Sequence, residues 1–388
     1  MYFNRSCTKF TALFVDLFFA IMLIHNQHYH TIWMAENAPA SFFVIDQRRL
    51  PHELVVQEIT SSEAAAVAIE CMMVRGAPLI GVTAAFGLYL ATQEADSSHF
   101  DSYLQQQYQR LAGTRPTAVN LIWALQQMMA SIDAAQSVAA KKVAAYQCAN
   151  RIKEEDIAMC RQIGLHGLPL IAALSERKKG QTVNILTHCN AGWLACVDWG
   201  TATSPIYHAQ QAGIDIHVWV DETRPRNQGA QLTAFELGQQ GIKHTLIADN
   251  TGGHLMQHGM VDMVITGADR VTAHGDAANK IGTYLKALAA KDNNIPFYVA
   301  LPGSTIDWNI GDGLTAIPIE QRSPDEVKYV TGWHHNQPTE VLICPMDTPA
   351  ANYGFDVTPA RLITAIITEK GVAAATAEGL QQLYADAR

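Results

Sequence analysis

The spacing of apolar residues along the chain changes near residue 175. From residue 60 to residue 175, apolar positions recur every three or four residues, which is the period of a helix with a buried face. The pattern predicts a short β-hairpin over residues 41–59, followed by these helices: Ala64–Val74, Ala77–Leu90, Val119–Ala135, Val138–Ile163 and Pro169–Ala173. The segment Thr60-Ser61-Ser62-Glu63 supplies the residue types of a helix N-cap directly before the first of them.

A charged segment at Ser175–Gln181 separates this region from one with a different pattern. Beyond it, short apolar runs alternate with helical stretches and lie roughly 20–30 residues apart, as in βαβ units. The predicted strands are Val183–Leu186, Ile216–Val220, Thr245–Ile247, Met263–Thr266 and Phe297–Ala300. The predicted fold class is α/β, with a mostly helical N-terminal domain over residues 34–175 and a parallel-sheet C-terminal domain over residues 176–388.

The first 33 residues fit neither pattern. Phe10–Ile24 is mostly apolar but contains Asp16, and it is shorter than the ~20 residues that a membrane-spanning helix needs. Its flanks resemble those of a secretory signal only poorly. We therefore expect residues 1–33 to be a non-domain extension and Met34 to be the true start, with a secretory signal as the alternative.

Composition excludes several classes of partner. Hydrophobic residues make up 48% of the 388 residues, which is typical of an ordinary globular protein. The net charge is −9 and no basic cluster occurs, which argues against nucleic acid and anionic membrane surfaces as partners. The seven cysteines form no Cys-x-x-Cys pair and match no zinc spacing, so free thiols in a reducing cytoplasm and no metal site are expected.

Polar or glycine residues closely follow each predicted strand. These clusters are His188-Cys189-Asn190, Asp221-Glu222, Asp249–Gly253, Gly267–Arg270 and Pro302–Ser304. Because the carboxyl ends of parallel strands share one edge of the sheet, all five clusters are expected to line one crevice.

Two residues in these clusters have the chemistry of catalytic groups. Cys189 follows a buried strand, and a helix expected to start at Ala191-Gly192 would lower its thiol pKa; the alternative is a small buried filler. Asp269 follows apolar residues, so desolvation would raise its pKa and make it a general acid. Its alternative is a loop carboxylate that pairs with Arg270.

Three further segments have the chemistry of an anion site. Arg75-Gly76-Ala77-Pro78 forms a sharp corner with a guanidinium and free backbone N–H groups, which can hold a phosphate. Arg115-Pro116-Thr117 and Asn279-Lys280 are similar, with Lys280 expected at the start of a helix. The alternative is an ordinary helix stop with a surface arginine. The glycine-rich turn Asp249–His254 lacks the spacing of a nucleotide-binding loop.

These segments together resemble one family. The matching stretches are VRGAPLIGVTAAFG, RPTAVNLIWAL, ILTHCNAGWLA, DETRPRNQGAQLTAFEL, IADNTGGHLM, TGADRVTAHGDAANKIGTY, PFYVALPGSTID, IPIEQRSPDEV and FDVTPARLITAIITEKGV. From about Phe43 to Gly371 the chain is similar, in the same order, to the methylthioribose-1-phosphate isomerases. That family is related to regulatory subunits of initiation factor 2B.

The resemblance implies a Rossmann-like C-terminal domain, a homodimer, a sugar phosphate substrate, and no metal or organic cofactor. The expected reaction converts 5-methylthioribose 1-phosphate to 5-methylthioribulose 1-phosphate in methionine salvage. The family's catalytic residues match Cys189 and Asp269. Its substrate-binding residues match Arg75, Gly76, Ala77, Arg115, Gln228, Asn279 and Lys280. Asn352-Tyr353-Gly354 departs from the family pattern.

Three alternatives stay open at this stage. Hydrogen could move between C2 and C1 as a proton or as a hydride. The substrate could be 5-deoxyribose 1-phosphate or ribose 1,5-bisphosphate, although Trp193 and Phe86 favour an apolar methylthio group. The chain could also be a non-catalytic subunit of the initiation factor 2B type, which would not need both Cys189 and Asp269.

Overall fold

The computed structural model describes residues 23–35, 38–115 and 117–385. Its helices are α1 Ser62–Glu70, α2 Ala77–Glu94, α3 Phe100–Ala112, α4 Val119–Asp133, α5 Val138–Arg177, α6 Ser204–Gln211, α7 Ala234–Gln239, α8 Thr251–Gln257, α9 Thr283–Asp292, α10 Gly313–Ala316, α11 Asp325–Lys328 and α12 Ala377–Leu383. Its strands are β1 Leu23–Ile24, β2 Gln27–His28, β3 Ile32–Ala35, β4 Ala38–Ile45, β5 Val56–Ile59, β6 Val183–Thr187, β7 Ile216–Asp221, β8 His244–Ile247, β9 Met263–Thr266, β10 Arg270–Thr272, β11 Ala277–Lys280, β12 Phe297–Ala300, β13 Ile306–Asp307, β14 Tyr329–His334, β15 Gln337–Leu342, β16 Phe355–Thr358, β17 Ala365–Thr368 and β18 Gly371–Ala373.

A seven-stranded sheet forms the centre of the C-terminal half. Its strand order is β18-β17-β12-β9-β6-β7-β8, and every pair is parallel except β17 with β18. The five predicted strands all lie in this sheet with bounds correct to within one residue. A second sheet of order β13-β10-β11-β16 adjoins it and was not predicted, because its strands are too short to show a periodic pattern.

The N-terminal half packs five helices on a three-stranded sheet of order β3-β4-β5. Helix α2 is buried along nearly its whole length, as its unbroken apolar sequence requires. Three helix predictions need correction. The first helix, expected to run to Val74, ends at Glu70 because Met72 has a left-handed backbone (φ 62°). Helix α3 was not predicted. The helices expected at Val138–Ile163 and Pro169–Ala173 are one helix, α5.

Helix α5 stays continuous through Pro169 because packing supports it on several sides. It contacts α2 and α4 in the N-terminal half and α6 and β17 in the C-terminal half. Within the described ranges it is also the one helix whose length and apolar composition would suit a membrane span. The contacts of α5 join it to both halves and do not test the predicted domain boundary at residues 175 and 176. That boundary stays a prediction.

Residues 23–33 belong to the fold, which corrects the expected extension of residues 1–33. The hydroxyl of Thr31 donates to the carbonyl of Trp193 (3.0 Å), and its N–H donates to Val197 O (3.2 Å). Ile32 is fully buried in the helical half. The sequence missed this segment because two-residue strands carry no periodic signal. Residues 1–22, with most of the Phe10–Ile24 run, lie outside the described residues.

Candidate active site

Cys189 lies two residues beyond the end of β6, at the carboxyl edge of the large sheet. It is 4% exposed, and its backbone is left-handed (φ 67°), which is costly for a residue with a side chain. Two threonines fix this conformation. The Cys189 N–H donates to Thr223 Oγ1 (2.8 Å), and the Thr233 hydroxyl donates to Cys189 O (2.7 Å).

The helix expected at Ala191-Gly192 does not form. The chain makes a short 3₁₀ turn at Trp193–Ala195, and the next α-helix begins only at Ser204. The backbone N–H of Leu194 donates to the buried carboxylate of Glu236 (2.8 Å) instead of serving a helix. The prediction of a helix that starts directly after Cys189 was therefore wrong.

Arg75 brings a positive charge from the helical half to Cys189. Its Nη1 donates to Asn190 O (2.7 Å) and to Asn190 Oδ1, and its Nη2 lies 3.8 Å from Cys189 Sγ. Gly76 follows with φ 93° and precedes α2, whose first residue, Ala77, is buried. A Cβ at Gly76 would lie 2.5 Å from the Ala195 backbone, so only glycine permits this approach.

Asp269 and Lys280 come from the four-stranded sheet of order β13-β10-β11-β16, which we call the small sheet. Asp269 lies just before β10, and its N–H donates to Ala278 O (2.9 Å). Burial raises the pKa of the Asp269 carboxyl, although the nearby cations Lys280, Arg75 and Arg115 lower it. As a whole residue Asp269 is partly buried.

Lys280 lies close to both catalytic candidates. It is the last residue of β11 rather than the start of a helix, because α9 begins only after Gly282, which is left-handed (φ 103°). Burial lowers the pKa of Lys280, and the adjacent Cys189 and Asp269 raise it. Cys189 and Asp269 therefore both lie within electrostatic range of the Lys280 ammonium group.

Arg115 completes the cluster of cations. The residue is 7% exposed, with Nη1 2.8 Å from Met72 Sδ and Nε 3.4 Å from Glu320 Oε2. Burial lowers the pKa of this guanidinium. Pro116, in the predicted RPT segment, lies outside the described residues. Asn279, next to Lys280, donates through Nδ2 to Thr283 Oγ1 (3.1 Å).

A cavity of about 310 Å³ opens beside this cluster. Its wall includes Arg75, Met72 and Gln228, and the buried Oε1 of Gln228 has no hydrogen-bond partner among the described residues. Its volume falls in the ~300–1,000 Å³ range of small-molecule sites. Cys189 and Asp269 are not on the wall of the cavity. Arg75 is on the wall, and its Nη2 lies 3.8 Å from Cys189 Sγ. Trp193 and Phe86, predicted to favour a methylthio group, are fully buried in two hydrophobic cores and do not line this cavity.

Sequence reasoning missed a buried network behind Cys189. Both ring nitrogens of His188 face acceptors, with Nδ1 2.8 Å from Asp221 Oδ2 and Nε2 2.8 Å from Ile281 O. Only a ring with both nitrogens protonated donates to both. Lys286 Nζ lies 3.2 Å from Asp221 Oδ2. The pattern placed His188 and Asp221 at strand ends, but Lys286 lies within α9 and gave no signal.

Three groups of side chains within the described ranges are close enough to share a metal ion. They are His28, His30 and Asp198; Asp156, Cys160 and Cys196; and His188, Asp221 and Asp249. In the third group Lys286 already supplies a positive charge to Asp221. The six cysteines among the described residues are free thiols, and Cys7 lies outside those residues.

The fold and this site define a known class of protein. The sequence profile of the Initiation factor 2 subunit family matches residues 73–375, and the chain belongs to that family. A methylthioribose-1-phosphate isomerase from Desulfatibacillum aliphaticivorans is 55% identical over 366 residues, which cover 94% of this chain and 99% of the relative.

Two solved structures extend the comparison. The 5-methylthioribose 1-phosphate isomerase of Pyrococcus horikoshii OT3 is 38% identical, with a TM-score of 0.79 over 93% of this chain and 97% of that one. The translation initiation factor eIF-2B, subunit delta, from A. fulgidus is 37% identical, with a TM-score of 0.74 over 92% of this chain and 99% of that one. Solved structures with this fold therefore include both an isomerase and an initiation factor subunit, and the site residues must distinguish these two kinds of protein.

Proposed function

We propose that this chain is an aldose–ketose isomerase that converts 5-methylthioribose 1-phosphate to 5-methylthioribulose 1-phosphate in methionine salvage. One observation carries the proposal: a buried thiol, Cys189, and a carboxyl of raised pKa, Asp269, both lie within electrostatic range of the buried Lys280 ammonium group at the ligand-binding edge of the sheet. The isomerase from D. aliphaticivorans, 55% identical over nearly its full length, supports the same assignment.

The substrate explains why an acid is needed. In an aldose 1-phosphate the phosphate ester blocks the spontaneous ring opening of a free sugar. Asp269 gives its proton to the ring oxygen, and the bond between that oxygen and C1 breaks. Burial favours the protonated form of Asp269 that this step requires.

Hydrogen then passes from C2 to C1, and Cys189 assists this transfer. By the proton route a Cys189 thiolate takes the proton from C2, which leaves an enediol-type intermediate, and the thiol returns it at C1. By the hydride route the hydrogen moves with its electron pair from C2 to the electron-deficient C1, and the sulfur stabilises that charge. In both routes the C2 hydroxyl loses its proton to the Asp269 carboxylate as the C2 carbonyl forms, which restores the acid. Arg75 Nη2, 3.8 Å from Sγ, offers a thiolate a counter-charge in both cases.

The remaining candidates bind the substrate. Arg75, Arg115 and Lys280 supply three buried cations for one phosphate, and the N–H groups at the start of α2, beside Gly76 and Ala77, add donors. Gln228 has a buried oxygen that accepts from no other described residue and can accept from a substrate hydroxyl. Holding the ring in a fixed position supplies part of the rate.

Substituting the two catalytic candidates tests the proposal. We expect Cys189→Ala and Asp269→Asn each to lower kcat by about 10²–10⁴, the usual worth of a proton-transfer group. The measurement is turnover of 5-methylthioribose 1-phosphate, with 5-deoxyribose 1-phosphate and ribose 1,5-bisphosphate assayed beside it. Cys148→Ala, a buried thiol in α5 remote from the cluster, is the matched control and should keep wild-type turnover.

A non-catalytic subunit is the second candidate, supported by the likeness to the A. fulgidus protein. A wild-type chain that turns over none of the three sugar phosphates would favour it. Unchanged turnover in both Cys189→Ala and Asp269→Asn would reject the catalytic roles while keeping the activity.

We also propose that the enzyme is a cytoplasmic homodimer, as the family resemblance implies. Light scattering of the purified chain checks the oligomeric state, since a dimer has twice the chain mass of 42.4 kDa.

A further inference from the structure

We propose that Glu236 is a positioning residue for the isomerase reaction, because it holds Asn190 in the orientation that directs Arg75 toward Cys189. The inference rests on the proposed function, since it concerns the same site. Glu236 lies in α7, is fully buried, and makes no contact with the reacting groups that we assign.

The loop after Cys189 is wrapped around the Glu236 carboxylate. Oε1 accepts from Asn190 Nδ2 (3.0 Å) and from the Leu194 N–H (2.8 Å), while Oε2 accepts from the Tyr207 hydroxyl (3.1 Å). A Cβ at Gly192 would lie 1.6 Å from Oε2, so the loop passes this carboxylate at the closest distance a backbone allows. These contacts replace the helix that the sequence led us to expect here.

Asn190 transmits this constraint to the site. Because Glu236 accepts from the Asn190 amide nitrogen, the amide oxygen points the other way and accepts from Arg75 Nη1. A flipped amide would present its NH₂ group to the guanidinium, two donors facing each other. The same Arg75 side chain places Nη2 near Cys189 Sγ.

The two carboxylate oxygens of Glu236 therefore have different roles. Oε1 accepts from Asn190, which in turn contacts Arg75 beside Cys189. Oε2 accepts from Tyr207 in α6, which is not part of this series of contacts. This difference provides a control that uses the same carboxylate.

The experiment compares three variants of the full chain by kcat and KM for 5-methylthioribose 1-phosphate. Glu236→Ala should lower kcat/KM about 10- to 100-fold, since a misplacement of about 1 Å at a site can cost that much. Glu236→Gln keeps an acceptor oxygen for Asn190 and Leu194 and should recover most of this loss. Tyr207→Phe removes only the contact to Oε2 and should stay within about threefold of wild type.

A double-mutant cycle separates positioning from general destabilisation. If Glu236 acts through Asn190, the double variant of Glu236→Ala with Asn190→Ala should lose no more activity than the worse single variant. Additive losses, or a Tyr207→Phe loss as large as that of Glu236→Ala, would overturn the proposal. If Glu236→Ala does not fold, Asn190→Asp is used instead: it sets two carboxyl groups against each other and should lower kcat/KM, and adding Glu236→Gln, whose amide can donate to Asp, should restore part of that loss if the contact positions Arg75. No restoration would overturn the proposal. An inactive wild-type chain would count against the proposed function instead.

Discussion

The protonation of Asp269 depends on a balance between burial and three cations. Burial raises the pKa of the carboxyl, and Lys280 is the strongest of the influences that lower it. The sequence predicted the raised pKa from the apolar residues before Asp269, and it assigned the three cations to the phosphate, but it did not predict that they would also lower the pKa of this carboxyl. Arg75, Arg115 and Lys280 come from segments far apart in the chain, and no local pattern shows that they meet.

Replacing Lys280 tests this balance. In Lys280→Met the pKa of Asp269 should rise further, because the cation that stabilises its carboxylate is gone. A general acid works in its protonated form, so its activity is lost as the pH rises through its pKa; the alkaline limb of kcat should therefore move to higher pH. KM should rise about tenfold or more with the loss of one of the three cations that we propose bind the phosphate.

The measurement is kcat and KM across the pH range, with Lys291→Met, an exposed lysine of α9, as the control. An alkaline limb that stays in place or moves to lower pH would mean that Asp269 is not the acid whose loss limits the rate.

At the scale of elements, the sequence was most reliable where one apolar period persists and least reliable where a tertiary contact overrides it. The five strands of the large sheet and the start of α2 were predicted correctly. The continuity of α5 through Pro169 was not, because proline usually ends a helix. Here Gly164 and Gly167 let α6 pack closely on α5 and support it.

This packing gives a prediction that opposes helix propensity. Alanine is favoured over glycine by about 1 kcal/mol inside a helix. At Gly164, however, a Cβ would lie 2.3 Å from Ser204 Oγ and from His208 Nδ1. Gly164→Ala should therefore lower the free energy of unfolding by about 1–3 kcal/mol, as overpacked substitutions do.

Denaturant unfolding measures this effect, and Gly238→Ala is the matched control. Gly238 also lies within a helix, α7, but the nearest atom to its Cβ is His244 Cε1 at 3.7 Å. There alanine should raise stability by up to about 1 kcal/mol. A gain of stability at Gly164 would show that α5 and α6 can separate without cost.

At the scale of the whole molecule, the site depends on how the two halves meet. Arg75 and Arg115 come from the helical half, Cys189 from the large sheet, and Asp269 and Lys280 from the small sheet. The sequence predicted a helical half, a parallel sheet and a crevice at the strand ends. It could not predict the docking of the halves, because the polar contacts that fix it are single side chains without a motif.

The clearest of these contacts is made by Asn120 on α4. Its Nδ2 donates to Ser304 Oγ (2.9 Å), and its Oδ1 accepts from the Thr305 hydroxyl (3.0 Å), in the loop after β12. Asn120→Ala leaves both hydroxyls without this partner and should lower the free energy of unfolding by about 1–3 kcal/mol.

Because this contact aligns the halves, Asn120→Ala should also lower kcat/KM, even at temperatures where the variant is fully folded. Asn150→Ala provides the comparison, since among the described residues Asn150 makes one local bond, to Tyr146 O within α5, and none between the halves. Thermal unfolding and steady-state kinetics on both variants distinguish the outcomes. If Asn120→Ala loses stability but keeps full kcat/KM, the alignment of Arg75 and Arg115 with Cys189 must be held by the other contacts between the halves, such as the bond from Arg270 Nε to Thr117 O.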